Sequence, residues 1–292
     1  MSLSNNGNLK LAVQKKGRLT DKSVELLKHC GIDIDHYSER LVVPAYNFPL
    51  ELLFLRDDDI PEYVQDGVAD IGIVGEDIFV SKNAKTEIVE KLGFGKCTLM
   101  LAAPDKLTIK TAKDIGGKTI ATSYPRILQN YLDENKINAK IIEISGSVEI
   151  APSLGVADLI CDIVSTGNTL MMNKLKKSIS VFESQAVLIR SSSNTMKPAK
   201  VEILDELHKR IKSVLIAKNS RYLMMNVPKA NLEKIEKVIP SIKSPTILPL
   251  ADENLVAIHA VIPEGFLWKI VDSLKEYGAT GILLLPIENM IP

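Results

Sequence analysis

Short apolar runs alternate with amphipathic stretches along most of this chain, and the alternation predicts a β/α protein. Residues 9–13 read as a strand, followed by a tight turn at Gly17-Arg18. Thr20 suits the N-cap of a helix whose apolar positions Val24, Leu27 and Cys30 share one face, with Gly31 as its stop. Residues 41–43 predict another strand. A helix is expected over 60–68, with Pro61 in its first turn where a missing N–H costs nothing. A strand over 71–74 and a turn at Gly75 come next. Further strands are predicted over 96–103, 118–122, 140–144, 159–164 and 187–189, with a helix over 127–135 and a long one over 198–217. Two α/β lobes joined by two chain crossings, near residues 97 and 187, account for this layout. Lobe I takes residues 1–97 and 187–220, and lobe II takes 98–186.

A different order begins at about residue 221. Strands over 222–227, 246–250, 255–262 and 281–285 interleave with helices over 229–239 and 264–277, the second stopped by Gly278. That is βαββαβ, the ferredoxin-like pattern. Its charged residues are mostly Lys and Glu on helix faces, without a cluster of candidate catalytic groups. Residues 221–292 therefore fit a small-molecule-sensing or assembly module better than a catalytic one.

Composition narrows the function classes. A chain of 292 residues holds about two domains, or three small ones. Thirty-six basic residues balance thirty-six acidic ones, so no global field suits nucleic acid or an anionic membrane, and any anion site must be local. No apolar run approaches the ~20 residues of a membrane span, and the N-terminus lacks a signal-peptide core, so a cytoplasmic protein is expected. Residues 1–8 are small and polar and are expected to lie outside the folded body. Cys30, Cys97 and Cys161 are far apart with no C-x-x-C, which fits buried, reduced thiols. The four histidines, His29, His36, His208 and His259, show no metal-ligand spacing. Met171-Met172 and Met224-Met225 are expected to fill cores.

The stretch EIAPSLGVADLICDIVSTGNTL, from Glu149 to Leu170, concentrates the candidate chemistry. Its apolar segment reads as a buried strand carrying two carboxylates, Asp158 and Asp162. The strand runs into Ser165-Thr166-Gly167-Asn168-Thr169, ahead of helix-forming Leu170-Met171-Met172. A helix starting there aims unpaired N–H groups and the positive end of its dipole at the loop. Gly167 lets backbone approach an anion, and Ser165, Thr166 and Thr169 supply hydroxyls. Two carboxylates oppose a phosphate but accept the 2- and 3-hydroxyls of a sugar, so the combination suits a ribose 5-phosphate. A plain strand–turn–helix with Asp and Ser/Thr as caps is the alternative, because a short Gly/Thr loop is a weak motif.

Other polar residues carry two readings each. Lys16-Gly17-Arg18 after a strand suits a polyphosphate or a solvated β-turn. Arg40 and Arg56 suit surface ion pairs or anion ligands. Asp57-Asp58-Asp59 suits a metal, or helix N-terminal charge before Pro61. Glu76 and Asp77 follow a buried strand and are within reach of a cleft. Tyr124 before Pro125 suits stacking on a base, or packing within a turn.

The Glu149–Leu170 stretch resembles the phosphoribosyl pyrophosphate (PRPP) motif of the ATP phosphoribosyltransferases. The resemblance continues through LAVQKKGRL at 11–19, LRDDDIP at 55–61, DIGIVGED at 70–77, ATSYP at 121–125, PTILPL at 245–250 and LLPIE at 284–288. It covers nearly the whole chain in order and points to the long form of that family. It implies two lobes like those of periplasmic binding proteins around a catalytic cleft, and a C-terminal regulatory domain over 221–292. It implies that adenine N1 of ATP displaces pyrophosphate from PRPP, the first step of histidine biosynthesis, with Mg²⁺ as cofactor and histidine as feedback inhibitor. Arg18, Arg40 and Arg56 would then neutralise phosphates. Lys16, Gly17, Arg18 and Tyr124 would meet ATP, and Asn226 and Thr246 would hold histidine. PRPP would fall to Glu149, Asp158, Asp162, Ser165, Thr166, Gly167, Asn168 and Thr169. A homo-oligomer between dimer and hexamer is implied; the protein ligands of the metal stay open.

Two rivals belong to other classes. A bilobal sensor would bind a ligand in the same cleft without chemistry, and a phosphoribosyltransferase acting on a free base would share the phosphate loop. The β/α arrangement around that loop and the C-terminal βαββαβ unit speak against the second.

Overall fold

The structure, a computed structural model, describes residues 7–35, 40–164, 168–193, 196–240 and 244–291. Two compact units emerge: residues up to Glu25 with Asp33–Val201, and Leu26–Ile32 with Glu202–Pro292. In chain order the first unit opens with β1 (Leu9–Gln14), α1 (Thr20–His29), β2 (Val42–Pro44), β3 (Leu50–Leu55), α2 (Ile60–Gln65), β4 (Ile71–Gly75), α3 (Glu76–Lys82) and β5 (Thr86–Lys91). The chain then supplies β6 (Cys97–Pro104), β7 (Thr119–Thr122), α4 (Pro125–Glu134), β8 (Lys140–Glu143), β9 (Leu159–Val164), α5 (Asn168–Met172) and β10 (Leu175–Ser184). It returns through β11 (Ala186–Ser191) to α6 (Pro198–Lys218), which spans the boundary between the units.

The first unit is two α/β lobes built on one plan. The lobe I sheet runs β2-β3-β1-β4-β11-β5, and the lobe II sheet runs β10-β6-β9-β7-β8. In lobe I, β3, β1 and β4 are mutually parallel, while β11 is antiparallel to β4 and β5. In lobe II, β8, β7 and β9 are parallel, while β6 is antiparallel to β9 and β10. Each sheet thus receives one reversed strand from the segment that has just crossed over from the other lobe. β3 and β1 are apolar nearly throughout because both faces of their sheet are covered. In β9, Leu159 and Cys161 join one core, while Ile160 and Val164 join another on the opposite face. That period of two puts Asp162 on the Ile160 face.

Several expected elements end differently. The helix expected over 60–68 stops at Gln65, because Gly67 turns left-handed (φ 74°) and the amides of Val68 and Ala69 both donate back to Tyr63 O at 3.0 Å. Instead of a turn, Gly75 leads straight into α3. Thr20 is the first helical residue of α1, and its buried hydroxyl finds no partner among the described residues. Gln14 caps the entry in its place, its Oε1 accepting from Leu19 N at 3.1 Å. Met171 and Met172 are exposed, because five-residue α5 buries Leu170 instead. Strands β3, β5 and β10 are additions to the sequence reading. Of residues 1–8, only Gly7 and Asn8 are among those described.

The second unit carries β12 (Ser220–Pro228), α7 (Leu232–Val238), β13 (Thr246–Pro249), β14 (Leu255–Pro263), α8 (Leu267–Glu276) and β15 (Thr280–Pro286). The sheet order β13-β14-β12-β15 is antiparallel throughout, which is the ferredoxin-like βαββαβ arrangement. Leu223, Met225, Val227, Ile258 and Ile262 form a core with Ile235 of α7 and Ile270 and Leu274 of α8. The end of α1 joins this unit: Arg210 Nη1 donates to Cys30 O at 3.3 Å, and Asn289 Nδ2 donates to His29 O at 3.4 Å. Among the described residues, no helix is long and apolar enough to cross a membrane.

Candidate active site

In doubly wound lobes ligands gather beyond the carboxyl ends of the parallel strands. On lobe I that rim carries charges of both signs, lysines and arginines alongside Asp57-Asp58-Asp59, Glu76 and Asp77. The Lys15–Leu19 loop after β1 is held by Gln14, whose Nε2 donates to Asp57 Oδ2 at 3.0 Å, and by Lys15 N donating to Leu55 O at 2.7 Å. Gly17 has φ +146°, and a Cβ there would lie 2.5 Å from the Gln14 carboxamide, so this turn requires glycine. Lys16 beside it is exposed. Arg56 follows β3, the neighbour of β1, and is also exposed. The antiparallel pairing of Val42 with Leu53 brings Arg40, just ahead of β2, to the same rim. There it forms an exposed ion pair with Asp35 at 3.3 Å. The three arginines of the sequence reading therefore share one edge of lobe I.

Arg18 is placed most narrowly. Its Nη2 lies 3.9 Å from Asp77 Oδ2, and its side chain stays 52% exposed. Partial burial works against its charge, but the nearby Cys97, Asp77 and Tyr124 outweigh it, so the guanidinium is held charged. Tyr124 precedes α4 on lobe II. Its phenol is pushed up, first by burial and then by the negative charges of Asp77 and Asp162. Tyr124 thus lies within electrostatic reach of Arg18, Asp77 and Cys97 and also of Asp162.

Lobe II supplies carboxylates. Asp162 sits two residues before the end of β9 and accepts from Ile163 N at 2.8 Å. Its carboxyl is raised, mainly by burial and also by the negative charge of Glu149, against which the Ile163 hydrogen bond works. Glu149 lies in a single 3₁₀ turn, Val148–Ile150. Loop residues 165–167 are outside the described residues, as are the side chains of Asn168 and Thr169, so Ser165, Thr166, Gly167, Asn168 and Thr169 have no side-chain placement here. The backbone of Asn168 does begin a helix, α5.

Asp158 departs from the sequence reading. It stands just before β9, its carboxylate accepts from Thr119 N at 2.8 Å, and its own amide donates to Thr119 O at 2.8 Å. Four residues at about 3.3 Å each put it roughly 13 Å along the strand from Asp162, at the end away from the loop. The carboxylates brought together are Glu149 and Asp162. Among the described residues, no three His, Cys, Asp or Glu side chains group closely enough to hold a metal. Burial pushes the Cys30 thiol up to about 12 and the Cys161 thiol up as well, so neither offers a thiolate. Sequence reasoning missed Gln14, Cys97 and Ser184 as neighbours of Arg18 or its loop; only the polar end of an apolar strand at Gln14 offered a signal.

On the second unit, Asn226 and Thr246 share the sheet face turned away from α7 and α8. Met224 and Thr246 each pair with His259, so the two polar residues lie about 12 Å apart with β14 between them.

Arginines on the rim of one α/β lobe and a half-buried carboxylate pair on the other define a bilobal α/β protein with a charged candidate site. Residues 56–213 match the family model described as ATP phosphoribosyltransferase, and residues 217–289 match the HisG C-terminal domain. The ATP phosphoribosyltransferase of Cytophaga hutchinsonii is 50% identical over 283 residues, covering 97% of this chain and 98% of that protein. That of Parabacteroides distasonis is 48% identical, covering 97% and 99%. A solved structure of the ATP phosphoribosyl transferase (HisG:HisZ) complex from Thermotoga maritima matches at 31% identity with a TM-score of 0.56. That match covers 70% of this chain and 98% of the other. This chain belongs to the ATP phosphoribosyltransferase family.

Proposed function

We propose that this protein displaces pyrophosphate from C1 of PRPP with N1 of the ATP adenine, giving N1-(5-phosphoribosyl)-ATP at the entry to histidine biosynthesis. The observation that carries this reading is Tyr124, which lies within electrostatic reach of Arg18 on one lobe and of Asp162, itself beside Glu149, on the other. Adenine N1 is already a lone-pair nucleophile, so no side chain has to be activated. As the C1–O bond breaks, positive charge grows on the ribose and negative charge on the departing pyrophosphate. Arg18, with Arg56 and Arg40 on the same rim, stabilises the second. Asp162 and Glu149 accept the ribose hydroxyls and favour the first, and the 165–169 loop takes the 5-phosphate. Asp158 pins β9 to β7 instead. Lys16 and Gly17 line the ATP triphosphate, and Tyr124 stacks on its adenine.

Mg²⁺, a hard cation that keeps several waters and takes few protein ligands, would be held mainly through the substrate phosphates. Bound with the substrate phosphates, the ion supplies charge neutralisation at the leaving group. The catalytic lobes take residues 1–97 with 187–220, and 98–186. Incubation with PRPP, ATP and Mg²⁺ while pyrophosphate release is followed tests the reading. Turnover dependent on ATP supports it. Tight binding without turnover favours a sensor, and turnover with a free base favours the other rival.

Residues 221–292 are proposed as the histidine-sensing and assembly domain of a cytoplasmic homo-oligomer. The open sheet face displays Tyr222, Leu248, Leu283 and Leu285, all exposed, around Thr246 and Asn226. Such a face suits a second subunit. Inhibition through a separate domain requires two global states that histidine binds unequally. Thr246→Val is expected to weaken histidine inhibition about tenfold, the cost of one polar contact, and to leave activity without histidine nearly intact. Activity curves against added histidine decide this, and an unchanged curve removes Thr246 from the sensor.

A further inference from the structure

Asp77 is 3% exposed, yet the proposed chemistry gives it no contact with substrate. Its Oδ1 accepts from Ser184 Oγ at 2.8 Å, and Ser184 Oγ in turn accepts from Asp77 N at 3.0 Å. The side chain folds over Gly75, where a Cβ would stand 2.1 Å from Oδ1, so Gly75-Glu76-Asp77 accommodates this one conformation. Oδ2 is left facing Arg18.

The partners of this carboxylate mark the two places where the chain crosses between lobes. Ser184 ends β10 and is 5% exposed, and it pairs in register with Cys97, which begins β6. The next residue, Gln185, is fixed as well: its carbonyl accepts from Glu76 N at 2.8 Å and its side-chain oxygen accepts from Gly93 N at 3.1 Å. Cys97 lies within electrostatic reach of the Arg18 side chain. Arg18 therefore faces a carboxylate anchored at one crossing, with the start of the other crossing nearby.

We infer that Asp77, locked to Ser184, is a positioning residue that aims the Arg18 guanidinium at the substrate phosphates, with the two crossings as its fixed reference. A buried carboxylate with one oxygen held by Ser184 turns less freely, which narrows the orientations favoured by a guanidinium facing the other oxygen. Small misplacements of a charge-stabilising group are costly in turnover. The inference rests on the reading in which Arg18 meets pyrophosphate.

A double-mutant cycle in steady-state kinetics tests it. Asp77→Ala is expected to lower kcat about 10- to 100-fold, with a smaller effect on KM for PRPP. Asp77→Asn should keep most of the activity, since its amide can still donate to Ser184 Oγ and accept from Arg18. In an Arg18→Ala background, Asp77→Ala should lower kcat no further. Equal losses in both backgrounds, or parental kcat in Asp77→Ala, would overturn the positioning role. Parental kcat in Arg18→Ala alone would instead sink the reading of Arg18 itself. Should Asp77→Ala fail to fold, Ser184→Ala carries the same cycle, with additive loss again the contrary result.

Discussion

Arg18→Ala is expected to lower turnover about 100- to 1000-fold, the range seen when one preorganised donor to a developing anion is removed. The guanidinium is already charged, already tethered and half in water, so it meets phosphate oxygens without reorganisation. Alanine leaves the Lys15–Leu19 loop intact, because that loop is held by Gln14 and by the Leu55 carbonyl. Arg18→Lys should recover only part of the rate. Lysine keeps the charge but lacks the planar fork that holds two oxygens at once. Steady-state comparison of the two variants with the parent decides the matter, and parental turnover in both would reduce Arg18 to a surface turn residue.

Asp162→Asn is expected to separate stability from binding. The Asp162 carboxyl is raised in the folded state by burial and by Glu149, so the fold favours its protonated form. That contribution is fully present below the unfolded pKa and is lost as pH rises through the folded one. At neutral pH the buried charge is therefore a cost, and asparagine removes it. The variant should melt no lower than the parent. PRPP, by contrast, donates ribose hydroxyls and needs the ionised form. Its affinity should drop roughly 10- to 100-fold in the variant, as a hydrogen bond to a charged group is worth about 1.5–3 kcal/mol. In the parent, affinity should fall with acid above the pH at which an ordinary aspartate, near 3.9, takes up its proton. PRPP phosphates titrate too, so the difference between parent and variant is the informative quantity. Calorimetry from neutral pH down towards that ordinary aspartate value gives it; equal affinities of the two proteins throughout would take Asp162 out of the sugar site.

The strands that sequence reading located are those with clear punctuation, such as β4 before Gly75 and β9 before its polar loop. β3 escaped because Leu50–Leu55 is buried on both faces and shows no alternation. β10 escaped for the opposite reason: it lies at a sheet edge, carries polar residues, and has two register irregularities between Lys177 and Phe182. On the candidate site, local chemistry was legible and tertiary partnership was not. An offset of four from Asp158 to Asp162 puts both on one face of a strand, but a strand also has ends, and they occupy opposite ones. Glu149 reaches Asp162 through a 3₁₀ turn and a long connection. Nothing in the spacing tied Asp77 to Ser184, since that contact depends on where the chain crosses between lobes.

Because β11 lies between β4 and β5, lobe I cannot close its sheet until residues 186–191 exist. Before then β4 is an open edge and β5 has no strand to join. The five strands of lobe II all lie between Cys97 and Ser184, in one uninterrupted stretch. During synthesis, which generally favours N-terminal units, the order is reversed for this chain: the lobe that begins first waits for the one made after it. An arrested nascent chain ending near residue 185 would hold a finished lobe II beside an unpaired edge, the kind of surface that invites pairing with another chain.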